Sequence, residues 1–124
     1  VLAWASARLG AKPVLIYSTA EPEIVRQIQD RFGRDAAGAM VEHCLADVAK
    51  GLIAQGVTRL VVAGGETSGA VVSALGVSML EIGPEIDPGV PWTLAADGKR
   101  IALALKSGNF GTPDFFTKSL AMLD

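Results

Sequence analysis

An α/β fold, with a mostly parallel sheet and helices on both faces, is the architecture this sequence predicts. Three observations predict it. Short apolar runs of strand length recur at Pro13–Tyr17, Leu60–Ala63, Met79–Ile82 and Ile101–Leu105. Segments with helical spacing of apolar residues lie between most of them, the pattern of parallel strands joined by crossover helices. Two of the runs, 60–63 and 101–105, end in glycine-rich turns.

The elements follow in order. Residues 1–9 place Leu2, Trp4, Ala5 and Leu9 on one side of a helix that stops at Gly10. The chain opens at Val1 inside this pattern, as if cut from something longer. Pro13–Tyr17 reads as a buried strand closed by Ser18 and Thr19. Glu21-Pro22-Glu23 opens a helix, since proline suits the first turn and acids suit the positive end of the dipole. Ile24, Ile28 and Phe32 recur at helical spacing, and Gly33 ends the run. A longer helix is predicted from about Ala36 to Gln55, with Met40, Cys44, Leu45, Val48 and Leu52 inward and Gly56 as its cap. Thr67–Leu75 reads as a helix ending at Gly76. Pro84, Pro88, Gly89 and Pro91 predict a loop over 83–99, because proline removes a backbone donor. A last helix begins near Thr112 as N-cap, with Pro113 at its first position and Asp114 beside it.

Composition narrows the function classes. The 124 residues fit one domain, 1–124, and with half of them apolar and 19% charged a folded core is expected. A net charge of −2, with acids and bases mixed, offers no basic patch and argues against nucleic acid. One cysteine, Cys44, cannot build a disulfide or a thiolate zinc cluster, and implies a reducing, cytoplasmic setting. No apolar run reaches the roughly 18 to 20 residues that span a bilayer.

The chemistry concentrates at Gly64-Gly65-Glu66-Thr67-Ser68-Gly69, where an apolar strand passes through two glycines into a helix. Such a joint gathers unpaired N–H groups and a positive dipole end, a place for a phosphate. Glycine lets an anion approach the backbone, and Thr67 and Ser68 can add hydroxyl donors. The plain alternative is a tight turn with Thr67 or Ser68 capping the next helix. The spacing matches neither the Walker loop nor the dinucleotide fingerprint. With no lysine in the loop, phosphate charge would be met by dipoles and a metal ion. Glu66 could approach a ribose hydroxyl, hold a water on Mg²⁺, or simply complement the dipole.

A second joint, Lys106-Ser107-Gly108-Asn109-Phe110-Gly111, supplies a cation and a flexible backbone. Both joints lie at the carboxyl ends of predicted parallel strands, where ligands of open α/β folds bind, and two of them suggest a nucleotide. Glu85 and Asp87 could reach a magnesium ion or be solvated. Trp92 could stack on a base, although core is the better reading. His43 and Cys44, mid-helix and without partners, read as structural, and nothing supports a serine or cysteine hydrolase.

With these residues in place, the sequence resembles the C-terminal, nucleotide-binding domain of the four-carbon acid sugar kinases. The likeness is carried by Val62–Val72, by Ile82-Gly83-Pro84-Glu85-Ile86-Asp87-Pro88-Gly89-Val90-Pro91-Trp92, and by Leu105–Gly111 with Asp114-Phe115-Phe116 after it. It covers essentially the whole chain. That family phosphorylates tetronates such as D-threonate, D-erythronate and 3-oxo-tetronate. The resemblance implies ATP, held by Gly64, Gly65, Glu66, Thr67 and Gly108, and Mg²⁺ is expected to accompany it, bridging the phosphate oxygens. It also implies a sugar-acid substrate, handled mainly by an N-terminal domain not in this sequence, and a further nucleotide-contacting serine upstream of Val1. Self-association is left open, and no catalytic base is identified. On this reading the chain alone binds ATP weakly and does not catalyse transfer. The alternatives are a non-catalytic nucleotide or phosphometabolite-binding module, and an interaction module whose glycines merely turn the chain.

Overall fold

A computed structural model describes residues 1–10 and 12–124. Its centre is the strand β4 (Ala102–Lys106), whose Leu103 and Ala104 are completely buried and point to opposite faces of one sheet. Three other strands complete it: β1 (Arg59–Ala63), β2 (Leu80–Asp87) and β3 (Val90–Ala95), in the order β1-β4-β3-β2. β1 and β4 run parallel, while β3 is antiparallel to both β4 and β2. The sheet is therefore mixed, and the expectation of a mostly parallel one is corrected.

The cause is the segment expected to be a loop. Residues 80–95 form a β2–β3 hairpin, which reverses direction within two residues and so cannot add a parallel strand. Its prolines are tolerated by position. Pro84 lies on the sheet's outermost strand, where the register slips between Ile82 and Glu85. Pro88 and Gly89 make the turn, with Gly89 at φ +81° as the second central residue of a type II turn requires. Pro91 precedes Trp92, where pairing with β4 begins. At Gly83 a Cβ would lie 3.0 Å from the Trp92 carbonyl oxygen, so the two strands approach as closely as they do only because it is glycine.

Helices cover both faces. On one, Ala46 and Ala49 of α3 (Arg34–Ala54) and Val71 and Leu75 of α4 (Gly65–Leu75) pack on Val62, Ala95 and Leu103. On the other, Phe115 of α5 (Phe115–Ala121) packs with Ile86, Val90, Trp92 and Ala104. The Trp92 indole N–H donates to the Ser119 carbonyl at 2.8 Å, so Trp92 is a core residue, as the sequence favours. Thr112 does not cap α5; its hydroxyl is engaged elsewhere, and Asp114 takes the N-cap position.

The N-terminal third departs further from expectation. α1 is only Leu2–Ser6, and α2 (Pro22–Phe32) buries none of its residues, with Ile24, Ile28 and Phe32 exposed. In α3, Met40 and Cys44 face outward; the buried positions are Ala37, Ala46, Val48, Ala49 and Leu52, with the small Ala46 and Ala49 packed with α4 and Val48 and Leu52 with Ala5 of α1. Pro13–Tyr17 joins no sheet. Its alternation is real, since Val14 and Ile16 pack on Ala5, Val48 and Leu52 while Leu15 and Tyr17 stand exposed. Without a neighbouring strand to pair its backbone, an alternating segment makes no ladder.

Replacing Trp92 with alanine empties the α5-facing core and orphans the Ser119 carbonyl. We expect a loss of about 3–5 kcal/mol, read from chemical denaturation, against less than half of that for Leu94→Ala on the exposed part of the same strand.

Candidate functional site

The parallel register of β1 and β4 brings Ala63 opposite Lys106, so both chains leave the sheet at one level. The exits are tied together. The Gly64 N–H donates to the Lys106 carbonyl at 2.7 Å, and a Cβ on Gly65 would sit 3.3 Å from the Ser107 hydroxyl. Gly64 has φ +112°, which turns the chain out of β1 and straight into α4. As N-cap it offers no side chain, and its carbonyl accepts only from Ser68 N–H. The N–H groups of Gly65, Glu66 and Thr67 are thus left without intrahelical partners at the positive end of the dipole. The Ser68 hydroxyl oxygen beside them is buried and has no hydrogen-bond partner among the described residues.

The second joint faces the first. Lys106 folds its Nζ onto the Gly108 carbonyl at 2.8 Å, and Gly108 takes φ +54° with open space around it. Of the five residues singled out in the sequence, Gly64 and Thr67 are half-buried, while Gly65, Glu66 and Gly108 are exposed. The four from the first joint sit at the start of α4, and Gly108 lies two residues past the Lys106 that pairs with Ala63.

Other candidates are placed differently. Glu85 accepts the Gly89 N–H at 2.9 Å inside its own hairpin. Asp87 is neither solvated nor free for a cation, because it is buried against Lys118 and Thr112. His43 pairs with Asp47 at 3.3 Å on the surface of α3. No group of three or more His, Cys, Asp or Glu among the described residues is arranged to hold a metal.

Sequence reasoning missed Glu42, on α3 and half-buried, which faces Glu66. The hydrogen bond it shares with Glu66, then burial, then the like charge raise its pKa above the ordinary carboxylate value. Nothing in the local sequence signals this, because it arises where α3 packs on α4.

The two glycine turns thus lie side by side where β1 and the parallel β4 leave the sheet of an α/β domain. A family described as "Nucleotide-binding C-terminal domain" matches residues 1–116, and the chain belongs to that family. Over 112 residues it is 60% identical to a 3-oxo-tetronate kinase of Cupriavidus necator, covering 90% of this chain and 26% of the relative. A 3-oxo-tetronate kinase of Burkholderia multivorans is 58% identical over 123 residues, 99% of this chain and 28% of its own length. The chain thus spans about a quarter of the curated relatives it matches. The crystal structure of a Haemophilus influenzae protein superposes with a TM-score of 0.91 at 42% identity, over 99% of this chain and 30% of the other. No helix among the described residues is long and apolar enough to cross a membrane.

The acid pair gives a pH test. A carboxyl whose pKa is raised by folding costs stability once ionised, so the penalty grows as pH climbs from the ordinary Glu value of about 4.3 through the raised one. Glu42→Gln is expected to melt above the unaltered chain at neutral pH, with the difference closing in acid. A melting difference independent of pH would show the two carboxylates do not interact.

Proposed function

We propose that this chain is the ATP-binding part of a kinase that phosphorylates a four-carbon sugar acid, 3-oxo-tetronate or a close tetronate such as D-threonate or D-erythronate. The observation that carries the reading is the pairing of β1 with β4, which sets two glycine turns and the free N–H groups of α4 against one another. Family membership and the similarity to 3-oxo-tetronate kinases support it. In this reading Gly64, Gly65, Glu66 and Thr67 line one side of the triphosphate and Gly108 the other, with Lys106 as the nearby cation.

Phosphoryl transfer asks mainly for positioning and charge neutralisation, which backbone dipoles can supply. Mg²⁺ fits as an ion carried in by the nucleotide, because no three-ligand cage forms among the described residues and magnesium is usually shared with substrate phosphates. When bound it would neutralise phosphate charge, and Glu66, whose carboxylate already faces another, is the side chain suited to its water shell. The sugar acid and the base that activates its hydroxyl are assigned to polypeptide outside the matched region. We expect this chain alone to bind without catalysing transfer, and the protein to act in the cytoplasm, where its one exposed free thiol would persist.

Mg·ATP at about a hundred times its dissociation constant should stabilise the chain by about 2.7 kcal/mol. Gly65→Val, which pushes a side chain toward Ser107, should weaken ATP at least about ten-fold in calorimetric titration and leave the circular dichroism unchanged. An interaction module would show neither effect, and undiminished ATP affinity in Gly65→Val would refute the site. Joined to the remainder of the kinase, the chain should release ADP from ATP when a tetronate is added; binding without turnover would favour a nucleotide-binding module.

A further inference from the structure

Asp87 closes the β2–β3 hairpin and is only 7% exposed, although the turn around it is open to solvent. A buried carboxylate needs partners, and Asp87 takes them from a distant part of the chain. Its Oδ2 accepts the Thr112 backbone N–H at 3.1 Å, with the Thr112 hydroxyl 3.3 Å away and its one proton turned to the nearer Asp114 carboxylate. Its Oδ1 is paired with the Lys118 ammonium, which also donates to the Thr112 hydroxyl at 2.9 Å. Gly111, at φ +93°, is pressed into the same place; a Cβ there would meet the Phe115 ring at 2.9 Å and Asp87 Oδ2 at 3.3 Å.

These contacts define the far end of the second glycine joint. Its near end is fixed by Lys106, through the Gly64 N–H and the Gly108 carbonyl. Between the two anchors, residues 107–111 hold themselves with one weak backbone bond, Phe110 N–H to Ser107 carbonyl at 3.3 Å. The loop is thus a short bridge whose shape is set by its abutments. The Lys118 ion pair and then the Thr112 N–H hold the Asp87 carboxyl below its ordinary pKa, so the anchor stays ionised at neutral pH.

We infer that Asp87, with Lys118 as its counter-ion, is a positioning residue for nucleotide binding: it acts through Thr112 to hold the Gly108 turn in the shape that receives phosphate. The inference rests on the ATP-binding reading above. Asp87 itself does not touch the nucleotide; it removes the ordering that the loop would otherwise undergo on binding.

The test combines two measurements on the 124-residue chain: amide hydrogen exchange without ligand, and Mg·ATP affinity by calorimetry. Asp87→Ala is expected to speed exchange at residues 107–112 while β1 and α4 stay protected, and to weaken Mg·ATP about ten-fold. Asp87→Asn retains an acceptor for the Thr112 N–H and should fall between. Should Asp87→Ala fail to fold, Lys118→Met, at a half-exposed position, serves instead, with the same loop-restricted exchange and a smaller loss of affinity. Unchanged affinity in a folded variant, or exchange that rises evenly across the chain, overturns the inference. An unaltered chain that binds no Mg·ATP removes the functional reading, and the exchange measurement then decides alone whether Asp87 clamps the loop.

Discussion

The parallel pairing of β1 with β4 is the constraint on which the other features depend. In a parallel pair both strands run out of the sheet on the same side, so the loops that follow are neighbours. An antiparallel arrangement would send Gly64 and Gly108 to opposite ends. The register is fixed by burial: Leu103 and Ala104 are both fully enclosed, one under α3 and α4 and the other under α5. A slip of one residue would exchange the faces, placing leucine where only alanine fits below Phe115. The hydrogen bond from Gly64 to Lys106 extends this register one residue past the strand, and so joins the core to the glycine turns.

The β2–β3 hairpin gives the second half of the site its support. Trp92 and Val90 bury the side that meets α5, which holds α5 at the height where Lys118 reaches Asp87. Through that contact the hairpin turn, the end of the second glycine loop and the start of the last helix become one unit. A proline-rich segment is well suited to this work, since the fixed φ of Pro84, Pro88 and Pro91 limits the unfolded chain more than the folded one.

What the sequence makes legible is whatever depends on neighbours in the chain. The apolar runs of β1 and β4, the glycines that follow them, and the span of α2 (Pro22–Phe32) with Gly33 as its cap are local matters, and the structure places them where pattern predicts. The direction of β3 is not local. Whether a proline breaks a strand depends on whether that strand lies at an edge, which only the assembled sheet decides. The inward face of α3 is hidden for a similar reason: close packing against α4 selects Ala46 and Ala49 over the larger Met40. The alternation at Pro13–Tyr17 is visible in the sequence, yet a strand requires a partner as well as a pattern. In the candidate site the glycines and Thr67 are legible by motif. The bonds of Asp87 to Thr112 and Lys118, and the approach of Glu42 to Glu66, join residues 24 or more apart and follow from packing alone.

Charge at the two joints bears on the form in which an anion would arrive. Lys106 is the one cation within the two glycine segments, and its ammonium already donates to Gly108. Against it stand Glu66 and Glu42, close enough that Glu66 raises the pKa of Glu42. The three free N–H groups of α4 together offer roughly half a positive charge. A bare triphosphate would bring several negative charges to a place whose own balance is near zero or below. A nucleotide already complexed with a divalent cation brings far fewer. On the proposed reading, a complexed nucleotide is therefore the form that the charge balance of the two dipole-rich turns and their neighbouring acids would favour.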